Sequence, residues 1–233
     1  MLNVANLQAG YDETTILRDV SIKVEKGKII AVLGRNGVGK TTLMKTLMGL
    51  LKPSAGDVVW RNHSVKGLRP EQRAKKGIGY VPQGRDIFST LTVEENLLLG
   101  LEALQKKPKK DVIPSHVFEL FPVLYEMLQR KGGDLSGGQQ QQLAIARALV
   151  GNPELLLLDE PMEGIQPSIV QLIERVIIKI AREQGVGIVL VEHNVDLALA
   201  CSDFFYILDH GRIVAQGDSK NVNLEAIQKH LVV

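Results

Sequence analysis

Two short stretches of the 233-residue chain carry side chains suited to phosphate chemistry. The first is Gly34-Arg35-Asn36-Gly37-Val38-Gly39-Lys40-Thr41, followed by Thr42. It fits the pattern G-x-x-x-x-G-K-[ST] and stands between a continuous apolar run and a helical stretch, Lys40 to Leu50. Its glycines let the backbone wrap an anion with the N–H groups turned inward. The helix that follows adds its positive N-terminal end. Lys40 is placed to reach the β- and γ-phosphates of a nucleotide, and the Thr41 hydroxyl to ligate Mg2+. The second stretch, Leu155 to Glu160, is an apolar strand ending in two carboxylates. It sets them at the carboxyl edge of a sheet, where open α/β folds bind ligands. Asp159 would hold the metal through water, and Glu160 would orient and deprotonate the attacking water. The chemistry implied is Mg2+-dependent hydrolysis of a nucleoside triphosphate, with the lysine and the loop amides stabilising the developing charge. Neither stretch says what the hydrolysis drives.

These groups converge only if the chain holds them at one edge of a sheet. Ile29 to Leu33 is unbroken apolar sequence, as a parallel strand buried on both faces requires. Ile78 to Val81, Leu155 to Leu158 and Gly187 to Val191 read as further short strands, with long helical patterns between them, notably Pro167 to Glu183. Strands alternating with helices predict a parallel sheet wrapped by helices. Leu2 to Leu7 and Ile16 to Val24 alternate apolar and polar residues, predicting half-buried antiparallel strands at the start of the chain. Phe204 to Leu208 and Arg212 to Ala215 flank His210-Gly211 as a hairpin would. From about Arg85 to Val150 the strand pattern almost vanishes. Thr92 with Glu95 forms a capping box for a helix through Leu99, and Val117 to Arg130 is apolar at helical spacing. This stretch is expected to be a helical subdomain, about 85–150, inserted into a single α/β domain of residues 1–233.

The bulk properties exclude several function classes. A content of 45% hydrophobic and 23% charged residues is ordinary for a folded chain of this length. The formal charge of +2, from 28 basic and 26 acidic residues, lacks the footprint of a dedicated nucleic-acid binder. Lys106, Lys107, Lys109 and Lys110 make a local basic patch, read as a solvated loop, with a lipid- or partner-facing surface as the alternative. Cys201 is the one cysteine, so no intrachain disulfide can form; this suits a reducing compartment, and the residue reads as a small core side chain. Met1 to Tyr11 lacks the features of a secretion signal. The apolar runs fall well short of the roughly 20 residues that cross a membrane. A cytosolic protein is expected, with no direct membrane insertion and any membrane link made through a partner.

A third stretch, Leu135-Ser136-Gly137-Gly138-Gln139, places a serine where a helix N-cap belongs and two glycines that expose amides at the helix start. That is an anion site without a lysine, and within one chain it would be a second phosphate site with no purpose. In this order the five residues resemble the signature sequence of ABC ATPases, and Gln140 to Leu149 continues the likeness, which extends over essentially the whole chain. The resemblance implies a P-loop core with a parallel sheet, an N-terminal antiparallel β subdomain and an inserted helical subdomain. It implies that Ser136, Gly137, Gly138 and Gln139 complete the nucleotide site of a facing subunit, so that two chains sandwich two ATP molecules head to tail. Tyr11 matches the aromatic residue that stacks on adenine; its plainer reading is a strand-end aromatic in the core. Gln83, after Tyr80-Val81-Pro82, matches the glutamine that links Mg2+ and the attacking water to the helical subdomain. His193 matches the histidine that contacts the γ-phosphate.

One departure concerns the run after Glu160-Pro161, where the family usually carries alanine, leucine and aspartate. Here the residues are Glu163-Gly164-Ile165-Gln166, and Gln166 cannot supply the usual charge. Met162 stands where a small or hydroxyl residue is common. Glu163 to Ser168 looks like the ATPases of branched-chain amino-acid and urea importers. Gln83 to Phe88, Thr92 to Asn96 and Gly132-Gly133-Asp134 look closer to the urea-type members. The expected role is therefore to power an importer for urea or related short amides. Its partners would be transmembrane permease subunits, a second ATPase (the same chain or a sister) and an extracellular or periplasmic solute-binding protein, with the chain held at the inner face of the plasma membrane. A branched-chain amino-acid importer is the alternative within transport, and a scaffold-assembly ATPase the alternative outside it.

Overall fold

A computed structural model of the chain describes residues 1–106, 112–222 and 227. Most of the lysine patch, at 107, 109 and 110, lies outside the described residues. The chain opens with β1 (Leu2–Tyr11) and β2 (Thr14–Val24), an antiparallel pair with apolar residues on one face only. Next come β3 (Ile29–Leu33), α1 (Lys40–Met48), β4 (Ala55–Trp60), β5 (His63–Ser64), α2 (Pro70–Lys75) and β6 (Ile78–Val81). Helices follow: α3 (Val93–Leu98), α4 (Ser115–Leu120), α5 (Pro122–Glu126) and α6 (Gly137–Val150). The chain then alternates through β7 (Leu155–Asp159), α7 (Pro167–Gln184), β8 (Gly187–Glu192), α8 (Val195–Cys201), β9 (Phe204–Asp209) and β10 (Arg212–Asp218).

Two sheets result. The larger has the order β10-β9-β3-β8-β7-β6, parallel throughout except for the β9–β10 hairpin. Every residue of β3, β7 and β8 is buried, as expected of strands covered on both faces. The smaller sheet, β2-β1-β4-β5, is antiparallel. Helix α1 packs between the two sheets, where Leu43, Met44 and Leu47 join Val4, Leu7, Val32 and Leu155 in one cluster. Each of those three helix residues contributes roughly 1.5–3 kcal/mol by burial. The helical insert packs on the opposite side of the main sheet, through Leu143, Ile145 and Leu149 of α6.

Arg73 fixes the far end of α1. It is fully buried, has no carboxylate partner among the described residues, and donates to the carbonyls of Thr46 (2.8 Å), Leu47 (2.7 Å) and Leu68 (3.2 Å). Burial pushes its pKa down to about 10, so it stays cationic at the negative end of the α1 dipole.

Two features differ from the sequence expectation. Val117 to Arg130 does not form one helix: α4 stops at Leu120, Phe121 turns to φ −133°, and Pro122 starts α5, which ends at Glu126. Proline lacks the N–H that would continue the ladder, and its ring crowds the preceding turn. The elements β4, β5 and α2 were not anticipated; β4 carries a left-handed Gly56 at φ 78°, and α2 has only six residues. The Thr92–Glu95 capping box is present, with Thr92 N to Glu95 Oε2 at 2.7 Å and Glu95 N to Thr92 Oγ1 at 3.1 Å.

Candidate functional site

Sheet order decides which loops meet. With β3, β8, β7 and β6 adjacent and parallel, their carboxyl ends present four consecutive segments along one edge. These are the glycine loop after β3, His193 after β8, Asp159-Glu160 at the end of β7, and Gln83 after β6. Residues more than a hundred positions apart are thereby brought within hydrogen-bonding distance.

At its two ends, Gly34 and Gly39, the loop passes too close to its neighbours for a side chain. A Cβ on Gly34 would stand 2.4 Å from the Leu208 carbonyl oxygen, and Gly39 enters α1 at φ 113°. The next residue, Lys40, is 4% exposed. Its Nζ donates to the carbonyls of Gly34 (2.8 Å) and Arg35 (2.9 Å) and lies 3.3 Å from Glu160 Oε1. A cleft of about 430 Å3 opens here, lined by Tyr11, Asn36, Gly37, Lys40, Thr41, Thr42, Gln83 and Glu160. Val38 packs its side chain behind the loop in the apolar cluster around α1. Tyr11 is 43% exposed at the end of β1, so the strand-end core reading fails and its ring is free at the cleft.

Glu160 gathers the other groups. Its backbone is left-handed at φ 50°, a costly conformation for a residue with a Cβ, and its N–H is tied to the Val191 carbonyl of β8 at 2.9 Å. Gln83 Nε2 donates to Glu160 Oε2 at 3.0 Å and to Glu163 Oε2 at 3.0 Å. His193 Nδ1 lies 3.8 Å from Glu160 Oε2, with half of its side chain exposed. The residue after it, Asn194, caps α8 by accepting from Leu197 N at 3.2 Å.

Asp159 is fully buried, and among the described residues neither carboxylate oxygen has a hydrogen-bond partner. Burial pushes its pKa up to about 6; the nearby Thr41 hydroxyl opposes this without forming a bond of full geometry, and Glu160 reinforces it. Two orphaned acceptors, one residue before Glu160 of the cleft lining, are suited to a cation or to its bound water. No cluster of three or more histidine, cysteine or carboxylate groups stands ready for a metal among the described residues. A small hard cation that shares its sphere with phosphate oxygens and water needs only one or two protein ligands, so the donor set fits Mg2+.

Ser136, Gly137, Gly138 and Gln139 are elsewhere. They line a separate cleft of about 580 Å3 with Ile165, Gln166 and Ile169, which shares no residue with the first. Helix α6 starts at Gly137, directly after Ser136. Ser136 Oγ accepts from Gln139 N at 3.4 Å, and Gln139 Oε1 accepts from Ser136 N at 2.9 Å. The helix end thus has its own capping box, and Gly137 and Gly138 line the cleft beside it. A groove of similar volume, about 440 Å3, lies between β2 and the β9–β10 hairpin. Its Lys23 and Lys28 are already paired with Glu25 and Asp203, so it is a poor site for a triphosphate.

One participant escaped sequence reasoning. Glu192 is buried at 1% exposure, and its Oε1 accepts from Met162 N at 3.1 Å, joining the end of β8 to the loop after Glu160. Burial pushes its pKa up to about 7. The available signal was a charged residue at the end of an all-apolar strand. Met162, unexplained by sequence, fills the cluster beneath α7.

Comparison with known proteins bears on the whole arrangement. The ABC transporter family model matches residues 17–163. The high-affinity branched-chain amino acid transport ATP-binding protein of Pseudomonas aeruginosa is 43% identical over 214 residues, 92% of this chain and 91% of that protein. The lipopolysaccharide export system ATP-binding protein of Escherichia coli is 36% identical over 219 residues, 93% of this chain and 90% of that protein. A solved dimeric ATP-binding cassette in a post-hydrolysis state, bound to ADP and phosphate, superposes with a TM-score of 0.85 at 25% identity, covering 95% of this chain and 100% of that one.

Proposed function

The chain belongs to the ABC transporter family of ATP-hydrolysing subunits, and we propose that it powers an importer of the branched-chain amino acid class. The observation that carries the catalytic part is the convergence of Lys40, Gln83 and His193 on the Glu160 carboxylate beside the glycine loop. In this reading Tyr11 stacks on the adenine, while Lys40 and the amides of Gly34 to Thr42 hold the phosphates. Thr41, Asp159 and Gln83 hold Mg2+, which when bound spreads the charge of the β- and γ-phosphates. Glu160 takes a proton from water as the water oxygen attacks the γ-phosphorus and the bond to ADP breaks. Gln83 and His193 register the γ-phosphate. Ser136, Gly137, Gly138 and Gln139 act on the nucleotide of a second ATPase, since they stand outside the first cleft.

No helix among the described residues is long and apolar enough to cross a membrane. Membrane attachment would therefore run through permease subunits, on the cytoplasmic face, in a transporter that includes a separate solute-binding protein. The import direction draws on the higher identity to the amino-acid transport protein than to the export protein. Urea is the second reading for the solute, favoured by the sequences Gln83 to Phe88, Thr92 to Asn96 and Gly132-Gly133-Asp134. Disrupting the gene in its host and measuring uptake of labelled leucine and labelled urea at low concentration decides between them. Selective loss of leucine uptake is the expected result; selective loss of urea uptake moves the solute and leaves the ATPase mechanism standing. Loss of neither, with no substituting ATPase, defeats both solute readings.

A further inference from the structure

We infer that Glu163 is a positioning residue for hydrolysis, which turns the side-chain amide of Gln83 so that its carbonyl oxygen faces the metal. A primary amide carries two N–H donors on its nitrogen and only lone pairs on its oxygen. The Gln83 nitrogen sits 3.0 Å from Glu160 Oε2 and 3.0 Å from Glu163 Oε2, so its two donors have two carboxylate acceptors. With the amide reversed, its oxygen would face two carboxylate oxygens with no hydrogen between them. The two acidic neighbours therefore leave Oε1 as the one atom of the group open to a hard cation.

Glu160 alone anchors the amide poorly. Its carboxylate is also approached by Lys40 at 3.3 Å and His193 at 3.8 Å, the same groups that must meet the γ-phosphate. Glu163 is exposed and accepts from Gln83, so it can hold the amide while Glu160 exchanges partners. Its place is fixed from behind: Glu192 accepts from Met162 N at 3.1 Å and pins the loop one residue earlier.

The inference rests on the proposed role of Gln83 as a metal ligand, and the test separates the two. Mn2+ binding to the full chain is measured by electron paramagnetic resonance with a non-hydrolysable ATP analogue, for Gln83→Ala, Glu163→Ala, Glu163→Gln and the double alanine variant. Partners that orient a metal ligand typically change affinity by about tenfold or more. Glu163→Ala is expected to weaken Mn2+ by about tenfold, and Gln83→Ala by at least as much. The double variant should be no weaker than Gln83→Ala alone. Glu163→Gln, whose carbonyl still accepts from Gln83, should stay within about twofold of the parent. In steady-state hydrolysis Glu163→Ala should lower kcat with little change in KM for ATP. Unchanged Mn2+ affinity in Glu163→Ala beside a weakened Gln83→Ala overturns the inference. Unchanged affinity in Gln83→Ala overturns the ligand role itself and the inference with it. A double variant weakened by the full product of the two factors means that Glu163 acts on the metal directly, and this too overturns it.

Discussion

Replacing Glu160 by glutamine isolates the proton-accepting role from the packing role. The side chain is 5% exposed and nearly isosteric with its replacement, so no cavity opens. The carboxylate serves Lys40 through one oxygen and Gln83 through the other. A substituted amide offers a single oxygen, so its NH2 must confront one of those two donors at a cost of about 1–3 kcal/mol. That cost falls on the nucleotide-free protein, where Lys40 rests on Glu160, and is relieved once Lys40 turns to the phosphates, so it favours nucleotide binding and touches turnover little. The loss of the base is larger: general-base catalysis is worth about 10²–10⁴ in rate, or roughly 3–5.5 kcal/mol of barrier. Removing a negative charge beside the γ-phosphate also favours the bound triphosphate. Glu160→Gln should therefore lower kcat by about 10²–10⁴, keep ATP affinity at or above the parent level, and accumulate a nucleotide-loaded dimer. Single-turnover phosphate release, fluorescent-nucleotide titration and size exclusion with ATP measure the three quantities. Turnover within tenfold of the parent would refute the reasoning, because the proton would then have another acceptor. His193, 3.8 Å away, would be the first to replace.

Three further outcomes are expected. Lys40→Ala and Ser136→Arg should each abolish hydrolysis alone, yet a verified mixed dimer of the two should regain about half of the parent rate, because one composite site keeps both native groups; no recovery would speak against assembly in trans or require both sites intact. Arg73→Ala should destabilise the fold by about 3 kcal/mol in chemical denaturation, from stranded carbonyls at the end of α1, and Arg73→Lys should recover only part of this, since an ammonium cannot span the same fork of acceptors. Glu192 is raised in the fold to about 7 from an ordinary value of 4.5. Its contribution to stability is therefore full below the ordinary value and is lost as pH rises through about 7; Glu192→Gln should flatten the fall in unfolding free energy between pH 4.5 and about 7, and an unchanged slope would show that Glu192 does not titrate there.

The candidate site residues that sequence singled out, and that the fold brings together, are those whose chemistry restricts residue type. Gly34 and Gly39 sit where a Cβ cannot be housed or where φ is positive, and Lys40, Thr41 and Asp159 each bring an atom that few other residues supply. The caps at Thr92 and Ser136 were legible for the same reason, since a side-chain oxygen must reach a particular N–H. What sequence did not reveal depends on register and approach. The strand β4 is interrupted by Gly56 and paired to β1 through an irregular register between Ala5 and Gln8, which blurs its alternation. The break at Pro122 lay inside an otherwise helical apolar pattern that outweighed it in the reading. The Glu192–Met162 bond joins residues 30 apart, and no local pattern encodes it. The solute is hard to read from these residues because every one proposed to act in hydrolysis would answer to nucleotide or metal.

The loop after Glu160 shows how a departure from the family pattern can still be specified. Met162 contributes a buried side chain to the cluster under α7 and its N–H to Glu192, so a smaller residue there would leave a void beneath the helix that carries Ile169 and Ile173. Glu163 gives Gln83 a second acceptor. Gln166 differs from both: it occupies the N-cap position of α7 yet makes no side-chain cap bond, and it lines the cleft that contains Ser136. Serine, aspartate or asparagine would cap that helix and contribute about 1 kcal/mol. The uncapped Gln166 thus shares a cleft with the first residues of α6, and in the proposed function that cleft faces a second ATPase. Gln166→Asp should therefore raise the melting temperature by restoring the cap while altering ATP-dependent dimerisation; a change in dimerisation with no gain in stability would show that the cap is blocked by the loop itself and not by the choice of side chain.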